Sequence, residues 1–206
     1  MRSLLSRVAE AVGFSGELIE GVRLEGETVA VAVVVDKQEL ARRNEVGLGA
    51  VRNRSLLTAL GSLPLGYAIE WTSIDPAQWP ILDAAPRGVL STTELRVTRL
   101  WQPAIAVTGV LKVSASWEAG SRVGLFNPDA PTVAVLRGVP RRLDSVLHEA
   151  SRFGIGVALA AENDVLRLVQ LPKPRPHRQT VRHWRFLEDV FHGWQAHQAS
   201  AAQART

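Results

Sequence analysis

The chain has 206 residues, 46% of them hydrophobic and 21% charged, enough for one sizeable core or two small ones and too apolar for disorder. The absence of cysteine excludes disulfide frameworks, thiol catalysis, cysteine zinc sites and iron–sulfur ligation. Its formal net charge of +4 gathers at one end, because residues 172–206 hold six Lys or Arg against two acids and the rest of the chain is balanced.

The longest apolar runs, such as residues 29–35, are about a third of the roughly 20 residues a membrane helix needs. No apolar signal core precedes Glu10, so a cytoplasmic protein without a membrane span is expected. Of the basic residues, 21 are Arg and 3 are Lys, which favours planar, bidentate contacts to phosphate or carboxylate.

Residues 4–12 read as a helix, with Leu4, Leu5, Val8 and Val12 on one face and Gly13 as its stop. Residues 18–24 and 28–35 follow as a hairpin turning at Glu25-Gly26-Glu27. Asp36, with Glu39 three residues on, makes a capping-box pattern for a helix through residues 40–43. Residues 44–53 read as a loop. Leu56, Leu57, Leu60 and Leu63 form a helical stripe, and residues 67–74 a strand. This order resembles that of small ferredoxin-like or metal-cluster-assembly modules, and without cysteine such a module implies a packing or dimerisation unit. Asp75-Pro76-Ala77-Gln78 is a helix start.

Residues 83–88 are loop-like, and residues 95–100, 104–107 and 110–115 read as short strands. Asn127-Pro128-Asp129-Ala130-Pro131 is a turn. Residues 132–136 are a buried strand and residues 140–153 an amphipathic helix stopped by Gly154. Residues 155–160 and 165–171 are two further strands turning at Glu162-Asn163-Asp164. Alternating prolines at 172, 174 and 176 form an extended connector. Beyond it Val181, Trp184, Leu187, Phe191 and Trp194 recur at helical spacing as one aromatic face. The expected fold is therefore α/β, or α+β, with mixed sheets, flanking helices, an N-terminal strand–strand–helix–strand module and a C-terminal amphipathic helix. It divides into residues 1–82, 89–171 and 172–206.

The segment from Val110 to Trp117, with the strand, helix and strand after it, resembles the latter part of the restriction-endonuclease-like, PD-(D/E)XK, fold over residues 105–171. That resemblance implies a divalent metal, Mg²⁺, held by acids beside a strand lysine and activating water. Lys112 matches the lysine, and Glu94 is the upstream acid, with Glu70, Asp75 or Glu118 as further carboxylates. Val110 stands where the family places its motif acid, and the interval from Trp117 to Thr132 reads as shorter than the family's intervening helix. Asp36 and Asp75 suit helix caps better than an acid pair. His148 has no Gly-x-Ser-x-Gly elbow to serve. The tail histidines lack the spacing of four that joins ligands on a helix.

Basic residues cluster three times: at Arg42, Arg43, Arg52 and Arg54, at Arg141 and Arg142, and along the tail. The leading expectation is a non-catalytic interaction protein without a cofactor, a subunit of a bacterial assembly and a possible homo- or hetero-oligomer. It would hold a protein partner or nucleic acid through Trp184, Phe191 and Trp194 as anchors, with Arg178, Arg182 and Arg185 as charge; the same aromatic face suits docking onto the chain's own core. The alternative expectation is a metal-dependent nuclease using Glu94 and Lys112.

Overall fold

The computed structural model describes residues 3–126, 130–160, 166–173 and 180–203. The expected turns at 127–131 and 162–164 and the connector at 172–177 lie wholly or mostly outside them. In chain order the elements are α1 (Leu4–Ala11), β1 (Glu17–Leu24), β2 (Glu27–Val35), α2 (Lys37–Val46), α3 (Arg54–Gly61), β3 (Ala68–Glu70) and α4 (Trp79–Asp83). They continue with β4 (Leu90–Thr92), β5 (Arg96–Arg99), β6 (Ile105–Ser114), α5 (Trp117–Phe126), β7 (Thr132–Arg137), α6 (Leu143–Phe153), β8 (Gly156–Ala160), β9 (Leu166–Gln170) and α7 (Val181–Gln203). The chain is thus α/β with mixed sheets and a C-terminal helix. Among the described residues no helix is long and apolar enough to cross a membrane.

Two compact units form, neither contiguous: residues 1–34, 106–178 and 193–206 make one, residues 35–105 and 179–192 the other. Segments read along the chain follow composition, whereas these units follow the pairing of distant strands.

The first unit is built on a six-stranded sheet of order β1-β2-β6-β7-β8-β9. β1 and β2 pair antiparallel, β6, β7 and β8 are parallel, and β9 returns antiparallel. Side chains alternate across the sheet. Leu111, Val133, Val135 and Ala158 face Val8 and Ala9 of α1. Ala134, Leu136, Val157 and Leu159 face the other way, against Trp117 of α5 and Val146 and Ala150 of α6. The two parallel crossovers place α5 and α6 on that one face, as right-handed connections require. On the same face Val22 of β1 meets α7, where a Cβ on Gly193 would lie 3.1 Å from the valine.

β6 is one strand where two were expected. Thr108 Oγ1 donates to the Ser15 and Ala32 carbonyls, and the Phe14 ring lies over Gly109 so closely that a Cβ there would come within 2.1 Å of it. The residues that look like a break are the ones that let Phe14 sit down on the strand. α5 falls where no helix was expected. Its glycines hide it from a periodicity reading, yet a Cβ on Gly124 would lie 2.6 Å from Ile155, so glycine is what allows the close approach.

The second unit packs α2, α3, α4 and the start of α7 with a three-stranded sheet of order β3-β5-β4. Its core joins Leu56, Leu57, Leu60, Leu63, Leu82, Val89, Val97, Trp101 and Trp184. Residues 67–74 carry only the short β3 followed by a 3-10 turn at Trp71–Ser73. The Trp71 amide donates to the Leu95 carbonyl and its indole to the Thr93 carbonyl, which turns the chain inward.

Candidate interaction surface around the final helix

The start of α7 is set by Thr180, whose hydroxyl accepts from the His183 amide. The helix then buries Trp184, Leu187, Val190 and Phe191 along one face, together with His183 and Glu188. Trp184 is 6% exposed and packs edge-on against Trp101, ring centres 5.2 Å apart. Arg99 lies 5.0 Å over the Trp184 ring and donates to the Leu60 carbonyl at the end of α3. Burial pushes its guanidinium below the usual range. Phe191 is 0% exposed, with the Arg43 guanidinium 4.8 Å from its ring centre.

A buried ion-pair network fixes the register of this helix. Glu188 accepts from Arg43 Nη2 at 2.7 Å and Nη1 at 3.1 Å, from the Val51 amide at 2.6 Å and from the Trp101 indole at 3.2 Å. Arg43 Nε reaches Glu39 at 2.9 Å, and Arg42 grips the same carboxylate with two bonds at 2.7 Å. The Glu39 partner holds Arg42 above the usual guanidinium range. Two guanidiniums and two carboxylates balance, so the set needs no ligand. It is a clamp joining α2, the 49–51 loop and α7. Of its members Glu39, Arg42 and Arg43 carry a signal in sequence, the i, i+3 and i, i+4 spacings on a helix; the partner Glu188 is 145 residues from Arg43.

Next to this clamp the polar side of α7 meets the entry to α3. Asp189 accepts from Arg52 Nε at 2.6 Å and from Arg185 Nε at 3.0 Å, and Arg185 also donates to the Arg52 carbonyl. One carboxylate therefore holds two guanidiniums side by side, each still 40–46% exposed. Arg54 opens α3, exposed and without an ion pair among the described residues. Arg182, exposed, precedes Arg185 by one helical turn. The result is a ridge with a net positive charge.

The other expected site residues disperse. Trp184 and Phe191, read as partner anchors, spend their surface inside the chain. Trp194 is half-buried and donates to Glu17 at 2.9 Å, a carboxylate that also accepts from Gln198. Arg178 lies outside the described residues. Glu94 and Glu70 belong to the second unit and line a cleft of about 730 Å³ with Thr72, Thr93, Leu95 and Arg96. Asp75 caps the turn at Pro76–Gln78 through the Ala77 amide. Lys112 belongs to the first unit, 14% exposed, and donates to Glu27 at 2.9 Å and to the Thr28 carbonyl at 3.0 Å. The Lys112 hydrogen bond and charge hold the Glu27 carboxyl below its ordinary range. Glu118 is held low by its own backbone amide and by Ser116. Among the described residues no three acids or histidines are grouped to hold a metal ion. Comparison with protein-family models, curated proteins and solved structures found no match.

Proposed function

We propose that the chain is a non-catalytic binding module that takes hold of the phosphate backbone of nucleic acid through the ridge Arg52, Arg54, Arg182 and Arg185. The observation that carries this reading is the shared carboxylate: Asp189 orients Arg52 and Arg185 together and neutralises only one of them. Guanidiniums held in this way lose little freedom on meeting a phosphate, which they grip bidentately. A protein partner would draw its affinity from buried aromatic anchors, and Trp184 and Phe191 have no free surface to give one. A phosphate backbone needs no such anchor.

The test is fluorescence anisotropy of labelled DNA and RNA oligomers with the full chain and with the Arg52→Gln/Arg54→Gln/Arg185→Gln variant. Nonspecific binding near 10⁻⁴ to 10⁻⁶ M that weakens by roughly tenfold in the variant supports the reading. Equal binding by both proteins, or none by either, refutes it.

A further inference from the structure

The first unit carries a second basic surface, independent of α7, in Arg137, the last residue of β7, and the five residues Gly138-Val139-Pro140-Arg141-Arg142 that join β7 to α6. β7 lies between its parallel neighbours β6 and β8. The segment therefore leaves the carboxyl edge of the parallel strands. Its backbone is fixed. Gly138 takes a φ of +96° and its amide donates to the Ala160 carbonyl at 3.0 Å, while Pro140 restricts the turn into the helix.

All three arginines are exposed and have no ion pair or side-chain hydrogen bond among the described residues. Asp144, in the first turn of α6, pairs with none of them. Their placement is electrostatically unfavourable. Positive charge beside a helix N-terminus opposes the helix dipole, and Arg142 occupies the N-cap position without any side-chain bond to the first amides. By contrast α1, α2 and α3 begin on Ser3, Asp36 and Asn53, each of which accepts from its own helix. Among the described residues nothing offsets the guanidinium at the cap of α6, and a bound anion would do so. Val139 stands at the tip, 70% exposed.

We infer that the Arg137–Arg142 loop is a phosphodiester-binding site for nucleic acid, with Arg137, Arg141 and Arg142 on the phosphates and Val139 against the sugars. This rests on the nucleic-acid reading above and adds a contact in the other unit. A lipid surface fits less well. One exposed valine is too small an apolar anchor for an interface, and arginine forks match discrete phosphate groups.

The experiment compares three full-length proteins: wild type, the ridge variant above, and Arg137→Gln/Arg141→Gln/Arg142→Gln. Each is titrated against a fluorescein-labelled DNA oligomer over a salt series and against phosphatidylserine vesicles, with thermal unfolding followed in parallel. For the loop variant the expected results are an affinity roughly tenfold weaker and a salt slope smaller by about three. Its thermal midpoint should be unchanged or raised, since charge opposing the α6 dipole has been removed. Loss of binding in the ridge variant with none in the loop variant overturns this inference and leaves the ridge standing. Loss in the loop variant alone supports it and removes the ridge. Absence of DNA binding by wild type, or loop-dependent binding to vesicles alone, overturns it.

Discussion

Replacing Glu188 by glutamine probes the clamp that seats α7. The carboxylate accepts four hydrogen bonds, two from Arg43, one from the Val51 amide and one from the Trp101 indole. It is 0% exposed, as is Arg43. Glutamine keeps the shape but turns one oxygen into an NH₂ group that faces donors, and it removes the charge opposite a buried guanidinium. Hydrogen bonds to charged groups are worth about 1.5–3 kcal/mol and breaking a buried pair costs about 3–5 kcal/mol. Glu39 continues to hold Arg43 Nε, so the expected loss is about 3–4 kcal/mol, a large share of an ordinary domain's stability. Urea unfolding read by tryptophan fluorescence measures it. The companion Arg43→Met/Glu188→Leu variant, which removes both partners, should be less destabilised than the sum of its single changes. A cost for Glu188→Gln below about 1 kcal/mol, the level of a surface pair, would refute the argument.

Trp184→Ala should destabilise by about 3–5 kcal/mol through loss of the Trp101 and Arg99 contacts. Trp184→Phe, which keeps an aromatic ring against Trp101, should bind nucleic acid like wild type; a binding defect in a folded variant would show that the indole is used externally. Lys112→Met should let the Glu27 carboxyl rise toward its ordinary value, read by NMR titration. A depressed carboxyl adds stability that is present above its unfolded value and lost as pH falls through its folded value. The variant should therefore differ most from wild type above the ordinary glutamate range and converge with it in acid, and an unmoved Glu27 would refute the pairing. Gly109→Ala forces a methyl into the Phe14 ring and should cost about 1–3 kcal/mol by chemical unfolding, where a neutral effect would mean the ring moves freely.

Local signals survived into the structure well. Asp36 followed by Glu39 announced α2, and Asp36 caps it by accepting from the Gln38 and Glu39 amides. The leucine stripe from Leu56 became α3 and its core. What periodicity missed were features whose cause lies far away in the chain. α5 is held by glycines chosen for β7 and Ile155, and β6 runs unbroken through Gly109 because of Phe14. The aromatic spacing of α7 correctly identified an apolar face, but spacing alone says nothing of whether the chain's own core or a partner takes it up. Here Trp101 and Arg99 meet Trp184. The basic clusters were visible as composition. Their sorting was not, since it needs Asp189 beside Arg52 and Arg185, and Glu188 beside Arg43, over separations of 137 and 145 residues.

Whether the arginine ridge meets phosphate is decided by the salt dependence of nucleic-acid binding by the intact chain. For duplex DNA the logarithm of the binding constant falls with the logarithm of salt by about 0.9 per phosphate neutralised. The ridge predicts a clear negative slope that becomes shallower by about three in Arg52→Gln/Arg54→Gln/Arg185→Gln. A flat salt response, or a slope unchanged by removing those arginines, would contradict it.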